Sequence, residues 1–394
     1  MKILIDAQYF TAPPAQRRGG FYFSTVLTKE LLKRSRFEYE LLFFDKGKER
    51  NNRSFVEELL PDCGVPIHEC NCVSYKELQS AASTGNYVDI HNIVKTDFDI
   101  AYFLTPVIVT VPRNTAQISM FHDYWFMNYK NAVGITDAEK VRYADAANIF
   151  DKVIENGSYL FTISEFSKKQ FIENSNINAE NVFIVSDLYD SEMCFQEKNP
   201  DFINEITGGL PYILFIGKLD TKKNLDRIIK AFEVLHKSHS ELKLVLIGNY
   251  GKLNNESRVY TEMITSSPAS ENIIVLHEVD DIQKRWFYSG AKLLLHPSLY
   301  EGFGITIVEA QACGCPVVTS TTTACPTTAG SGGALLVNPY DLEEIILGAE
   351  RVLTDSALKN SLVQNGFKNT LLYTPDKCAE LVEGAFEEIY TKNH

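Results

Sequence analysis

Long apolar runs are missing from this chain. Its apolar stretches, such as Ile213–Gly217 and Leu293–Leu295, fall far short of the ~20 residues that a membrane-spanning helix needs. A secretory leader is not expected either: Asp6 already interrupts the opening MKILIDAQYF, which reads as a first strand. Cations are scarce, with 38 Lys and Arg against 51 Asp and Glu and a net charge of −13. That argues against phosphate-backbone binding, so no nucleic-acid partner is expected. A hydrophobic content of 45% with only 23% charged residues excludes disorder as the main state. The eight cysteines lack the look of a disulfide framework and read as reduced thiols of a cytoplasmic protein. His68-Glu-Cys70-Asn-Cys72 and Cys313-Gly-Cys315 have no second matching half, so no metal site is expected and buried thiols account for them. Neither half carries G-x-G-x-x-G behind a strand with an acidic residue ~20 positions on, which removes a nicotinamide oxidoreductase.

What is present is alternation. A length of 394 residues suggests two or three domains, and short apolar strands alternate with amphipathic helices over nearly all of it, the signature of parallel sheets. Strands are expected at Lys2–Ala7, Tyr39–Phe44, Asp99–Leu104, Gln117–Phe121, Tyr159–Ile163 and Val182–Val185, with a first helix from about Gly20 to Lys33. Residues 51–92 are irregular and polar and carry no assignment. A Pro-, Asn- and Gly-containing stretch then reads as a linker over 199–210. A second alternation follows, with strands at Tyr212–Ile216, Lys243–Ile247, Ile273–His277, Lys292–His296, Pro316–Thr319 and Ala334–Val337, and a last helix begins at Pro375. The expected architecture is α/β: two tandem Rossmann-like domains, 1–198 and 211–374, facing across a cleft, with ligands at the carboxyl ends of the strands.

Two stretches of the second half carry chemistry. In His296-Pro-Ser-Leu-Tyr-Glu301-Gly-Phe303-Gly304-Ile305-Thr-Ile-Val-Glu309 a strand ends, a glycine-bearing loop follows and a helix starts. Backbone amides around Phe303, Gly304 and Ile305 can approach an anion there, and the helix dipole favours negative charge. Carboxylates accept hydrogen bonds from sugar hydroxyls, so Glu301 and Glu309 suggest polyol at two places with phosphate between them; a solvated Glu and a helix-face Glu would give the same letters. The second stretch, Gly217-Lys218-Leu-Asp-Thr-Lys222-Lys223-Asn224, places lysines after a strand, where they can neutralise a diphosphate.

These linked motifs resemble the retaining glycosyltransferases of the GT-B fold, the "group 1" class with many bacterial mannosyl- and glucosyltransferases. Glu301 and Glu309 match the family's paired glutamates, Lys223 matches the lysine of its G-[RK]-L-x-x-x-K-[GN] loop, and Lys218 stands where arginine is usual. Arg17-Arg18-Gly19-Gly20 sits where the family has its first glycine-rich loop, His122-Asp123 matches a His-Asp pair after a strand, and Ser164-Glu165-Phe166-Ser167 matches a helix start. The resemblance implies transfer of a hexose from a nucleoside-diphosphate sugar to a glycan or lipid-linked glycan acceptor with retention of configuration. Lys218 and Lys223 would hold the diphosphate without metal or other cofactor. Glu301 would orient sugar hydroxyls, Glu309 would hold the ribose, and His122 would approach the donor sugar. Gly19 and Gly20 would approach the diphosphate or acceptor, and Asp123 would lie on the acceptor side. The last helix, 375–394, is expected to cross back onto the N-terminal domain. Pro326-Thr327-Thr328 and Ser186-Asp187-Leu188 depart from the family's Pro-Glu and Asn-Gly patterns. A nucleotide-sugar epimerase and a non-catalytic glycan-binding scaffold are the rival readings.

One segment runs against the acidic background. Between Arg17 and Arg53 ten cations, Lys29, Lys33 and Arg36 among them, face five carboxylates. Two readings fit: a solvated helix end whose cations suit the dipole, or a face resting weakly on an anionic membrane.

Overall fold

The computed structural model describes residues 1–11, 19–44, 64–85, 87–127, 137–219, 221–248 and 255–394. By contact the chain forms two units, Met1–Leu188 with Pro375–His394, and Tyr189–Thr374.

The first unit runs β1 (Lys2–Asp6), α1 (Gly19–Arg34), β2 (Glu38–Phe44), β3 (Ile67–Cys70), α2 (Tyr75–Thr84), β4 (Ile100–Phe103), β5 (Ala116–Met120), α3 (Asp137–Glu155), β6 (Tyr159–Thr162), α4 (Glu165–Glu173) and β7 (Val182–Ile184). Its sheet is parallel, in the order β3-β2-β1-β4-β5-β6-β7. Helices on both faces of a parallel sheet leave no polar side, so β4 (IAYF) is buried at every position. β3 and α2 lie within the polar stretch 51–92, for which no element was expected. Ser74 and Glu77 begin α2 with a reciprocal capping box that the polar composition of the stretch obscures.

The second unit runs α5 (Pro200–Thr207), β8 (Tyr212–Ile216), α6 (Leu225–Ser238), β9 (Lys243–Ile247), α7 (Asn255–Ser266), β10 (Ile273–Leu276), α8 (Asp281–Gly290), β11 (Leu293–His296), α9 (Ile305–Ala312), β12 (Val317–Ser320), α10 (Cys325–Ala329), β13 (Leu335–Val337), α11 (Leu342–Thr354) and α12 (Ser356–Thr370). Its parallel sheet has the order β10-β9-β8-β11-β12-β13. Ile213, Phe215, Leu244 and Leu246 pack against Ile228, Phe232, Ile345 and Val352 in a core of its own. At the carboxyl edge Gly248, at φ 153°, lets two strand ends touch: a Cβ there would lie 1.8 Å from the Gly217 carbonyl oxygen.

The expected linker 199–210 is corrected. Pro200–Thr207 is α5, opened by the Asn199 side chain on the Phe202 amide (3.2 Å) and closed by Gly208 in the left-handed region. The Asn, Pro and Gly that read as breakers are helix boundary signals. Phe202 packs on Trp286 and Phe287, which ties α5 to the second unit.

The last helix, α13 (Pro375–Asn393), belongs to the first unit. Phe386 lies against Tyr102 and Phe161. Glu383, fully buried, accepts from Arg34 Nε at 3.0 Å and Nη2 at 2.9 Å, while Arg36 reaches Glu387 at 2.6 Å and Arg34 also bonds Asp376. Arg34 and Arg36 of the basic segment are therefore committed to α13, and Lys33 pairs with Glu30 at 3.5 Å. Arg17, Arg18 and the cations at 46–53 lie outside the described residues. No helix among the described residues is long and apolar enough to cross a membrane. The seven described cysteines are free, and Cys72 is the exposed one among them.

Candidate active site

In the second unit the strand order reverses between β8 and β11, so the loops that follow them diverge and leave a crevice at their carboxyl ends. The loop after β8 starts at Gly217, carries half-buried Lys218, makes a single 3-10 turn over Thr221–Lys223 and ends on Asn224. Asn224 adopts φ 62°, and its buried amide donates to the carbonyls of Pro297 (2.8 Å) and Pro339 (2.7 Å). The Leu299 amide returns a bond to the Lys222 carbonyl at 2.9 Å. Pinned together this way, the two loops bring Lys223 Nζ to 2.5 Å from Glu301 Oε1.

The same oxygen of Glu301 meets His296 Nε2 at 2.8 Å, and Ser298 Oγ lies 3.2 Å from that nitrogen. The Glu301 amide donates to Thr323 Oγ1 at 3.2 Å. Burial alone would push the Glu301 carboxyl up. The Lys223 charge and the His296 hydrogen bond outweigh it and hold the group well below the usual carboxylate range. Gly304, at φ 97°, begins α9 without a side-chain cap, and a Cβ there would sit 3.1 Å from Ile307 Cδ1. Phe303 is buried, with its carbonyl held by Thr328 Oγ1 at 2.7 Å, and Ile305 is half-buried.

Glu309 faces a different partner. Its Oε1 lies 3.1 Å from Lys284 Nζ and its Oε2 accepts from Tyr288 OH at 2.9 Å, both from α8. Burial pulls the Lys284 ammonium down, but Glu309, with Asp281 adding to it, keeps it raised above its ordinary value. The two glutamates thus hold two separate cations. Among the described residues no cluster could hold a metal ion.

The first unit repeats the arrangement at its β1/β4 reversal. Gly19 and Gly20 open α1, and a Cβ on Gly19 would meet nothing within 4 Å. His122 follows β5 and packs edge-on against Phe23 of α1, with ring centroids 5.1 Å apart. Its Nε2 is buried with no hydrogen-bond partner among the described residues. Burial lowers its pKa to about 4 despite the opposing charge of Asp123, so the ring is neutral at neutral pH. Asp123 itself accepts from the Trp125 amide at 2.9 Å and shapes the turn. Asp6 closes β1 and is 1% exposed, its carboxylate taking the Gln8 amide at 3.0 Å and Thr105 Oγ1 at 3.3 Å. Burial raises its pKa to about 7 against both hydrogen bonds.

The fold therefore joins Lys223 with Glu301, places Lys218 in the same loop, sets Phe303, Gly304 and Ile305 beside them, and turns Glu309 toward α8. It places His122 beside α1, whose first residues are Gly19 and Gly20. Sequence reasoning missed His296, Asn224, Lys284, Tyr288 and Asp6 as site residues. A charged residue ending an apolar first strand was the available signal for Asp6. Nothing in the spacing of Lys284 connects it with Glu309.

Residues 196–369 match the family described as glycosyl transferases group 1. The O-antigen chain mannosyltransferase B of Escherichia coli is 24% identical over 253 residues, which are 63% of this chain and 65% of that protein. Among solved structures, sucrose-phosphate synthase from Thermosynechococcus elongatus superposes with a TM-score of 0.72 at 15% identity over 100% of both chains. The Anabaena protein HepE, solved with UDP and glucose, gives 0.69 at 15% identity over 98% of this chain and 99% of its own. The family match thus covers most of the second unit, and the whole chain has the GT-B fold.

Proposed function

We propose that this glycosyltransferase moves a hexose from a nucleoside-diphosphate sugar to a glycan or lipid-linked glycan acceptor, with retention and without a metal, on the cytoplasmic side. The observation that carries the reading is the Lys223–Glu301 pair in the β8/β11 crevice, beside the uncapped start of α9. As the sugar–phosphate bond breaks, negative charge grows on the leaving phosphate. Preorganised cations and amides aimed at it are then the largest stabilising term. Lys223, Lys218 and the amides around Phe303–Ile305 fill that role, and Glu301 orients the sugar hydroxyls. Glu309, linked to Lys284 and Tyr288, takes the ribose end. From the first unit, neutral His122 serves the donor sugar, Gly19 and Gly20 the diphosphate or acceptor, and Asp123 the acceptor side. The mannosyltransferase relative and the UDP-and-glucose complex support mannose and glucose as the first donors to try. A weak peripheral contact with an anionic membrane, the remaining part of this reading, rests on Lys29 and Lys33 among the described cations.

The test is thermal shift with GDP-mannose and UDP-glucose, followed by transfer and donor-hydrolysis assays with and without EDTA. A donor at a hundred times its Kd raises stability by about 2.7 kcal/mol through linkage. Turnover that survives chelation supports the lysine-based mechanism; loss in EDTA with recovery in Mg²⁺ or Mn²⁺ refutes it. Interconversion of nucleotide sugars without acceptor would replace transfer by epimerisation.

A further inference from the structure

We infer that His296 is a positioning residue for Glu301, setting which carboxylate oxygen is offered to the donor sugar; this rests on the reading of Glu301 as the group that orients sugar hydroxyls. His296 ends β11 and is fully buried, so its ring is not itself a ligand contact. Stacking on Phe215, with centroids 6.4 Å apart, fixes the plane of the ring. Thr319 Oγ1 holds its backbone carbonyl at 2.9 Å.

The tautomer follows from the two ring nitrogens. An ionised carboxylate can only accept, so the 2.8 Å contact with Glu301 Oε1 puts the proton on Nε2. Nδ1 is buried and has no hydrogen-bond partner among the described residues. A bare lone pair is the form of that nitrogen that leaves no buried N–H donor unmet. Both ends of the imidazole therefore agree on one state.

The effect on Glu301 is a division of labour between its oxygens. Oε1 takes both the His296 N–H and the Lys223 ammonium, the latter at 2.5 Å. Among the described residues Oε2 accepts no hydrogen bond. The terminal torsion of a glutamate is soft, with broad wells, and an ammonium is a point charge that follows a turning carboxylate. A ring locked in a β-strand is not. His296 thus fixes the rotation of the carboxylate and leaves Oε2 as the acceptor for a sugar hydroxyl. A packing role explains the Phe215 stack, but not an N–H aimed at the oxygen that Lys223 already holds.

The experiment compares wild type with His296→Phe, which keeps a ring for the stack but removes the donor, and His296→Gln, which returns an N–H near the Nε2 position. Each is assayed with GDP-mannose and UDP-glucose and with their 2-, 3- and 4-deoxy counterparts. Wild type is expected to disfavour one deoxy donor by on the order of ten- to a hundred-fold in kcat/KM, the effect of one charge-assisted hydrogen bond. His296→Phe loses most of that discrimination and His296→Gln regains it. Unchanged discrimination in His296→Phe, or a His296→Gln variant no better than the Phe variant, overturns the inference. Nitrogen NMR of the wild-type protein with labelled histidine gives a second readout that depends on neither turnover nor the folding of a variant. It is expected to show His296 protonated at Nε2 and not at Nδ1, with a shift that moves in Glu301→Gln. Protonation at Nδ1 refutes the proposal. A wild type that turns over no nucleotide sugar removes the parent reading and leaves the nitrogen spectrum to decide whether His296 holds the carboxylate.

Discussion

At the scale of single residues, the ion pair at the centre of the site serves two ends. Glu301 is 8% exposed and Lys223 is its counter-charge. Removing Lys223 leaves a buried carboxylate uncompensated, and such breaks cost roughly 3–5 kcal/mol. Lys223→Ala is therefore expected to lower turnover by ~10²–10³ and also to lower the melting temperature. Adding Glu301→Gln should restore the melting temperature and not the turnover, a split that calorimetry and a transfer assay read together. Asp6 gives a second residue-scale expectation. Its folded-state pKa of about 7 means that the native chain keeps a proton that the unfolded chain has already released. Stability contributed by this group is complete below about pH 4, falls as pH rises toward about 7 and does not return above it. Melting curves of Asp6→Asn and wild type should coincide near about pH 4, with the variant gaining progressively up to about pH 8. A pH-independent gap would show that the Asp6 proton is not the cause.

Elements tell how much of this was legible. All strands expected from the apolar runs are present within a residue or two, because a strand buried on both faces must be written almost wholly in Val, Ile, Leu and aromatic residues. Tyr212–Ile216 and Lys243–Ile247 match to the residue. What escaped was written in polar letters: the Ser74–Glu77 capping box of α2, the Asn199–Pro200 start of α5, and α3. At the site, Lys223, Glu301 and their loops were legible because their positions along the chain fix them. The Lys284–Glu309 pair was not, since it depends on how α8 packs beside α9, which no spacing records. Gly248 makes the element-scale prediction. Its Cβ would be driven onto the backbone of Gly217, which cannot swing away as a side chain would. Gly248→Ala should cost about 2 kcal/mol or more and disturb the loop that carries Lys218 and Lys223. Denaturant unfolding and donor affinity measured on the same preparation check both parts.

Over the whole molecule, the two units differ in how the chain builds them. The second is one uninterrupted stretch with its own core, whereas the first needs residues from both sides of it. Without α13, Tyr102 and Phe161 lose the cover of Phe386, and Arg34 and Arg36 lose Glu383 and Glu387. A chain ending at Thr374 is therefore expected to keep the unfolding transition of the second unit and to lose that of the first. Two-wavelength melting curves, with limited proteolysis to identify the surviving fragment, check this. A truncated chain that melts like the full one would show that α13 is dispensable.

The order of translation gives this arrangement a meaning of its own. Residues 189–374 leave the ribosome before the segment that completes Met1–Leu188, so the part made first is finished last. Until α13 arrives, the nascent first unit has Tyr102 and Phe161 without the cover of Phe386, and Arg34 and Arg36 without their carboxylates. Chains halted by a premature stop remain in that state.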